Sequence, residues 1–488
     1  MYLGIDLGTS GVKAVLTDAA GAVIAQATAP LEVSRPHPLW SEQDPADWWA
    51  ATQSAVAALR DQHRLDGVRA LGLSGQMHGA VLLDAADRVL RPAILWNDGR
   101  SGAECLVLDP LARRIAGNLA MPGFTAPKLL WVRAHERSTF DATARVLLPK
   151  DFLRLKLTGE HVSEMSDSCG TLWLDVFSRS WSPALLEATF LSERQMPRLV
   201  EGSDISAQLT PGAADLLGLP PGIPVAGGGG DNAAGAVGIG CIAPGSAFVS
   251  LGTSGVVFVA DASPLPDPDR TVHAFCHALP QLWCRMAVVL SAASCLAWAA
   301  EATGAAVPAL LAELDAAGIA SDNRLVFLPY LAGERTPHND ARAAGVLFGL
   351  SAGSSRADIT RAVLEGVAFA LADGLDALEA RGGRIEALSM IGGGARSPAW
   401  ARILATALDR PLALHRGGEV GPALGAARLG QLAAGEGTPD SICRPPPVER
   451  EVQPDALLAG PLARRRAVFA SLYPTLKPHF AASLPEHP

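Results

Sequence analysis

Six consecutive residues, Leu7-Gly8-Thr9-Ser10-Gly11-Val12, recur as Leu251-Gly252-Thr253-Ser254-Gly255-Val256, offset by 244 positions in a chain of 488. An identity placed at half the chain length points to an internal duplication, so the fold has to be one that a chain can build twice. Each copy reads as an apolar strand entering a Gly-Thr-Ser-Gly turn and another leaving it. That is a tight β-hairpin whose glycines let backbone N–H groups come close to a ligand. Two such hairpins facing one another would clasp a polyphosphate, because successive N–H groups in a turn form an anion-binding concavity. The copies differ at the residue before the hairpin, Asp6 in the first and Ser250 in the second. A carboxylate repels bare phosphate, so Asp6 suits a hard cation such as Mg2+, held partly through water, between itself and the phosphates. The pair of hairpins therefore predicts a magnesium nucleotide.

The length agrees with two domains of about 240 residues, and 49% hydrophobic with 18% charged residues leaves ample material for buried cores. A net charge of −9 gives no basic footprint for nucleic acid. The run Arg464-Arg465-Arg466 reads as a solvated helix face. Seven cysteines without a Cys-x-x-Cys pair fit reduced thiols in a cytoplasmic protein, with neither a zinc site nor a disulfide framework expected. Asp6 interrupts the first apolar residues, and no uncharged apolar stretch reaches membrane-spanning length, so neither a signal peptide nor a membrane partner is expected.

Strand and helix signals alternate along the chain, which means α/β layers. Asp44 and Pro45 mark a helix start, and apolar spacing from Ile359 to Leu378 predicts a long helix over 355–380. A terminal helix follows the prolines at 445–447, with no role beyond packing. Four glycines at 227–230 precede Asp231 and a helix of small residues ending at Gly240; the domain boundary falls near 241–245. A strand over 385–391 runs into Gly392-Gly393-Gly394 and a further helix, a turn where a nucleotide can lie against bare backbone.

Phosphoryl transfer to an alcohol needs held phosphates, a cation and a group that takes the alcohol proton. Asp231 is the best base, a lone carboxylate leaving a stretch of bare backbone, although an Asp at a helix start is also an ordinary N-cap. Gln76, Met77 and His78 suit a small polyol, with amide and imidazole for hydroxyls and thioether for the carbon face. The cluster at 96–100, led by Trp96, is a similar set in the same half. Arg335 could bring a cation to the cleft, or pair with Glu334. Lys150 and Asp151 read as a solvated or helix-capping pair.

The chain has no Gly-x-x-x-x-Gly-Lys-Ser/Thr loop and no His-Arg-Asp kinase set. Its twin hairpins and glycine turn resemble instead the superfamily of sugar kinases, actin and the heat-shock chaperone ATPases. Within it the chain is similar to the FGGY carbohydrate kinase family, over residues 2–13, 34–45, 75–79, 92–100, 122–131, 147–151, 228–238, 333–339, 391–397 and 421–428. The resemblance implies an α/β fold of two duplicated ribonuclease-H-like (actin/hexokinase-type) domains with a cleft between them, divided here as 1–242 and 243–488. It implies ATP-dependent phosphorylation of D-xylulose at O5, with ribulose, glycerol or gluconate as alternative acceptors, and a homodimer; the alternative from the wider superfamily is a non-metabolic ATPase of the actin and chaperone kind, which has no use for the clusters at 76–78 and 96–100. Asp231 matches the proton acceptor and Asp6 the residue near Mg-phosphate, the two expected to hold Mg2+ partly through water. Gln76, Met77, His78, Trp96, Asp231 and Asn232 are then expected at the sugar. Gly8, Thr9, Ser10, Lys13, Gly252, Thr253, Ser254, Gly393, Gly394 and Ser397 are expected at ATP.

Overall fold

The protein was analysed as a computed structural model that describes residues 1–319, 324–416 and 421–482. Its frame is two mixed sheets, one drawn from residues before 231 and the other from residues after 246. The first contains β1 (Tyr2–Leu7), β2 (Gly11–Thr17), β3 (Val23–Pro30), β4 (Ala70–Gly75), β5 (Ile205–Gln208) and β6 (Pro224–Ala226), in the order β5-β6-β4-β1-β2-β3. The pair Gly229–Gly230 adds a short rung beside β4. The second contains β7 (Ala247–Leu251), β8 (Gly255–Asp261), β9 (His273–Cys276), β10 (Trp283–Val289), β11 (Leu388–Ile391), β12 (Leu412–His415) and β13 (Val448–Val452), in the order β9-β10-β8-β7-β11-β12-β13.

Strand by strand the two sheets repeat one pattern. From β3 through β2, β1, β4 and β6 to β5 the pairings are antiparallel, antiparallel, parallel, parallel and antiparallel. From β10 through β8, β7, β11 and β12 to β13 they are the same. The outermost antiparallel strand precedes its neighbour in the first half and follows it in the second, and β9 is an addition at the far edge. The duplication expected from the hairpins is therefore a duplication of the whole sheet.

The hairpins themselves are not superposable. Leu7 pairs with Val12 across the first, leaving a four-residue loop, whereas Leu251 pairs with Gly255 across the second, leaving three. Six identical residues thus sit in registers that differ by one, and a one-residue slip exchanges the faces of a strand.

Helices cover the sheets. α1 (Pro45–Gln62) starts where Asp44 accepts from the Ala46 N–H at 2.9 Å and buries Trp48 and Leu59 against the first sheet. α2 (Pro149–Thr158) packs against α1 and β4. α3 (Asp231–Ile239) is the small-residue helix. In the second half, α4 (Arg356–Gly382) opens with a Ser355–Asp358 capping box, and α5 (Pro398–Leu408) follows the glycine turn. α6 (Gly421–Ala433) comes from the second half yet lies on β1 and β4 of the first. A Cβ at Gly72 would run into the Ala426 carbonyl, and one at Gly425 into the Ala234 carbonyl of α3. Bare backbone on both sides of α6 explains the run of small residues: it is what lets α3, α6 and the first sheet stack closely.

α7 (Ala456–Ala482) corrects the reading of the three arginines. Arg464 is exposed, but Arg465 is buried and paired with Glu365 at 2.6 Å, and Arg466 reaches Asp376 at 2.7 Å. Consecutive residues of a helix point about 100° apart, so a run of like charge cannot share one face. The same helix stacks Tyr473 on His338 at 3.6 Å and bonds its hydroxyl to Asp340 at 3.0 Å, holding the loop that carries Arg335.

Candidate active site

Asp231 stands between two cavities. One, of about 100 Å3, takes Met77, His78 and Trp96 from the first half and Val256, His273, Phe275, Met286, Val288 and Arg335 from the second. The other, of about 220 Å3, is walled by Ser250, Gly252, Gly392, Gly421 and Pro422. Asp231, Asn232, Ser254 and Val256 line both.

The glycine run that delivers Asp231 is held at every step. Gly228 has φ of 80°, and a Cβ there would strike the Leu73 carbonyl, so only glycine fits. Arg154 donates to the carbonyls of Ala226 and Gly227 at 2.5 Å each, and the Ser166 hydroxyl accepts from the Gly230 N–H at 3.1 Å. Gly230 occupies the cap position, so Asp231 is the first residue of α3 and not its N-cap. Its Oδ1 accepts from the backbone and side-chain N–H of Asn232 at 2.7 and 2.9 Å, and no hydrogen bond to Oδ2 is made among the described residues. Burial, and after it the charge of Asp6, pushes the carboxyl up to about 7.

Lys150 and Asp151 are neither solvated nor caps. Lys150, Asp151, Arg154, Glu164 and Asp167 are all fully buried. The Lys150 ammonium lies 2.8 Å from Asp151, 3.2 Å from Asp167 and 3.3 Å from Glu164. Glu164 in turn accepts from the Ser166 N–H and hydroxyl at 2.7 and 2.8 Å. Two cations face three carboxylates there, and burial holds Asp167 well above the usual carboxylate range. The cluster clamps the backbone behind Asp231 through Arg154 and Ser166.

On the small-cavity side His78 stands in a turn with its ring packed inward. It sits at φ 69° with its Nδ1 2.7 Å from the Gly170 carbonyl, its ring edge-on to Phe124 at 4.7 Å, and its own carbonyl bonded by Thr125 and Lys128. Nδ1 therefore carries the proton and Nε2 is an acceptor. Burial holds this imidazole down to about 3. His273 repeats the arrangement from the other half: its Nδ1 meets Asn118 Oδ1 at 3.3 Å, and its buried Nε2 has no partner among the described residues. The Asn118 amide donates to the carbonyls of Ala116 and Ala274, which fixes its oxygen toward His273. Two neutral imidazoles thus face one small cavity. Because His78 stays neutral above about pH 4, sugar binding is expected to show no inflection near the ordinary histidine value of about 6.5. Fluorescence titration of an Asp231→Asn variant between pH 5.5 and 8.5 measures this, and a bend near 6.5 would refute the assignment.

Several expected ligands lie elsewhere. Gln76 is buried behind the wall, donating to Gln43 at 3.0 Å and accepting from the Thr9 hydroxyl at 3.1 Å. The Thr9 hydroxyl also accepts from the Trp96 indole at 3.0 Å. It therefore orients Trp96 toward the small cavity and is not free for phosphate. Of the cluster at 96–100 only Trp96 reaches the cavity. Asp98 accepts from the Ser41 N–H at 2.7 Å and pairs with Arg100, which stacks over Trp40 at 3.6 Å. Glu334 is buried and accepts from the N–H groups of Leu290 and Arg335 at 3.0 and 2.7 Å. Burial pushes its carboxyl up to about 8. No ion pair joins Glu334 to the Arg335 side chain among the described residues.

Of the two hairpins only the second, through Gly252 and Ser254, lines the larger cavity; the Gly8 N–H closes its own loop on the Gly11 carbonyl at 2.9 Å, and the Gly252 N–H closes on Ser254 at 3.1 Å. Neither is available to an anion, so any anion contacts come from the remaining loop groups, including the exposed tip at Ser10. Gly392, at φ 89°, lines the cavity beside the hairpin; Gly393 faces open space, and Gly394 is buried against Leu251. Ser397 is buried, and its hydroxyl caps α5 on the Trp400 N–H at 3.3 Å.

Asp6 lies in register with Lys13 on β2 and Ser74 on β4. Its Oδ1 is buried without a hydrogen-bond partner among the described residues, and burial raises its pKa against the pull of Ser74 and Lys13. An orphaned carboxylate oxygen close enough to Asp231 to raise it is the donor set a hard cation would satisfy. No group of three or more potential ligand side chains converges among the described residues, so water and phosphate oxygens would complete the shell.

The residues not anticipated, His273, Phe275, Met286 and Val288, come from β9 and β10. Only the His-x-Phe alternation, which puts both rings on one strand face, carried a signal.

The pattern for the N-terminal domain of the FGGY family of carbohydrate kinases matches residues 1–238, and that for its C-terminal domain matches residues 247–434. Xylulose kinase of Escherichia coli strain K12 is 54% identical over 486 residues, covering 99% of this chain and all of that one. A solved structure described as a xyloylose kinase from Brucella ovis is 51% identical, with a TM-score of 0.92 over 98% of this chain and 99% of that one. Xylulose kinase from Rhodospirillum rubrum is 31% identical, with a TM-score of 0.87 over the same shares.

Proposed function

The chain belongs to the FGGY family of carbohydrate kinases, and we propose that it transfers the γ-phosphoryl group of ATP to O5 of D-xylulose. The observation that carries this reading is the position of Asp231 in the wall shared by the two cavities. The acceptor occupies the smaller one, whose volume of about 100 Å3 admits a polyol of a few carbons and excludes an oligosaccharide. Its hydroxyls donate to Nε2 of His78 and of His273, Trp96 and Phe275 cover the carbon skeleton, and Arg335 supplies positive charge. The phosphates lie in the larger cavity beside the second hairpin and Gly392, with the nucleoside toward Gly393.

The carboxylate of Asp231 takes the proton of the attacking hydroxyl through Oδ2 while Asn232 keeps Oδ1 fixed. The buried setting holds acceptor and phosphate in line and keeps water from competing. Asp6 and Asp231 would hold Mg2+, which when bound neutralises charge on the phosphates. Among the described residues no single helix is long and apolar enough to cross a membrane.

A coupled assay with Mg-ATP over D-xylulose, D-ribulose, glycerol and gluconate tests the reading. D-xylulose is expected to give a kcat/KM at least ~10-fold above the others, since hydroxyl-recognising sites discriminate by hydrogen bonds left unpaired. A higher value for any other acceptor overturns the substrate assignment.

A further inference from the structure

A third cavity, of about 760 Å3, shares no wall with the other two. It opens between the turn joining β2 to β3, one face of α6 (Leu424, Arg428, Gln431) and the segment 441–447. Three arginines line it, Arg416, Arg428 and Arg444, and none has an ion-pair partner among the described residues. The acidic residue in the wall, Glu436, is already paired with Arg69.

Arg428 is the distinctive member. It is 6% exposed; its Nη1 donates to the carbonyls of Val237 and Gly238 at 2.9 and 3.0 Å, and its buried Nε has no partner among the described residues. A guanidinium taken out of water without a carboxylate is costly. The carbonyls at the end of α3 carry partial negative charge and answer part of that cost. Arg416 and Arg444 stand exposed at the rim, free to turn toward an anion in the cavity.

We propose that this cavity is an anion site for a phosphate group, either as the ester of a small metabolite or as free phosphate. Guanidinium groups suit phosphate because their planar forks donate in pairs. The volume falls in the range of small-molecule sites, roughly 300–1,000 Å3, and exceeds what a bare ion fills, which favours the ester. The wall takes residues from both halves of the chain, and Arg428 grips the far end of the helix whose first residue is Asp231.

The test is calorimetric titration of the full chain with Mg2+, D-xylulose and a non-hydrolysable ATP analogue present to fill the cleft. Glucose 6-phosphate is titrated in one arm and inorganic phosphate in the other. One anion per chain is expected in the ester arm. The double variant Arg416→Ala/Arg444→Ala, altered only at exposed side chains, should weaken it at least ~10-fold with sugar phosphorylation unchanged. Equal binding of inorganic phosphate keeps the site and assigns free phosphate as its ligand. No binding in either arm, or binding that the double variant does not weaken, overturns the proposal.

Discussion

Asp231→Asn is expected to lower kcat by at least ~10²-fold, the usual scale for removing a general base, while the fold and the sugar affinity persist. The substitution is nearly isosteric and keeps an acceptor for the two Asn232 donors at Oδ1. What it removes is the proton acceptor at Oδ2, in the wall common to both cavities. Steady-state kinetics together with sugar titration separate the two effects. A variant with near-normal kcat would mean that another group, or bulk water, takes the proton.

The second large effect is on stability. Lys150→Met leaves Asp151 and Glu164, both fully buried, facing one another without the cation that now lies 2.8 and 3.3 Å from them. Breaking a buried pair by removing one partner costs about 3–5 kcal/mol, which for a unit of this size lowers Tm by at least about 6 °C. Calorimetry measures it, and the double variant Lys150→Met/Asp151→Asn should recover part of the loss. A fall under 2 °C would show that the cluster is held by packing alone.

These two residues also mark what a sequence can and cannot convey. Asp231 was legible because its signal is local: four glycines, one carboxylate and a helix start are contiguous, and their conformational consequences need no distant partner. The twin hairpins were legible for the same reason, although their registers were not, because pairing across a loop depends on the strands beyond it. Lys150 and Asp151 misled because the pair looks self-sufficient, while the groups that decide its state, Glu164 and Asp167, arrive on a later strand and helix. Thr9 and Gln76 misled in another way. Their polar atoms suit ligands by type, but the fold turns them toward each other and toward Trp96 and Gln43. His273 was missed because its strand is buried on both faces, so the His-x-Phe spacing puts both rings on one face without saying which face meets the cleft.

The most direct measurement is ADP release at saturating Mg-ATP with and without D-xylulose, with the sugar phosphate counted in the same samples. If Asp231 serves an acceptor held on one side and a phosphoryl group held on the other, the sugar should raise ADP release at least ~10²-fold. One D-xylulose 5-phosphate should then appear for each ADP. ADP released as fast without the sugar as with it, or without matching sugar phosphate, would contradict a site built to join the two.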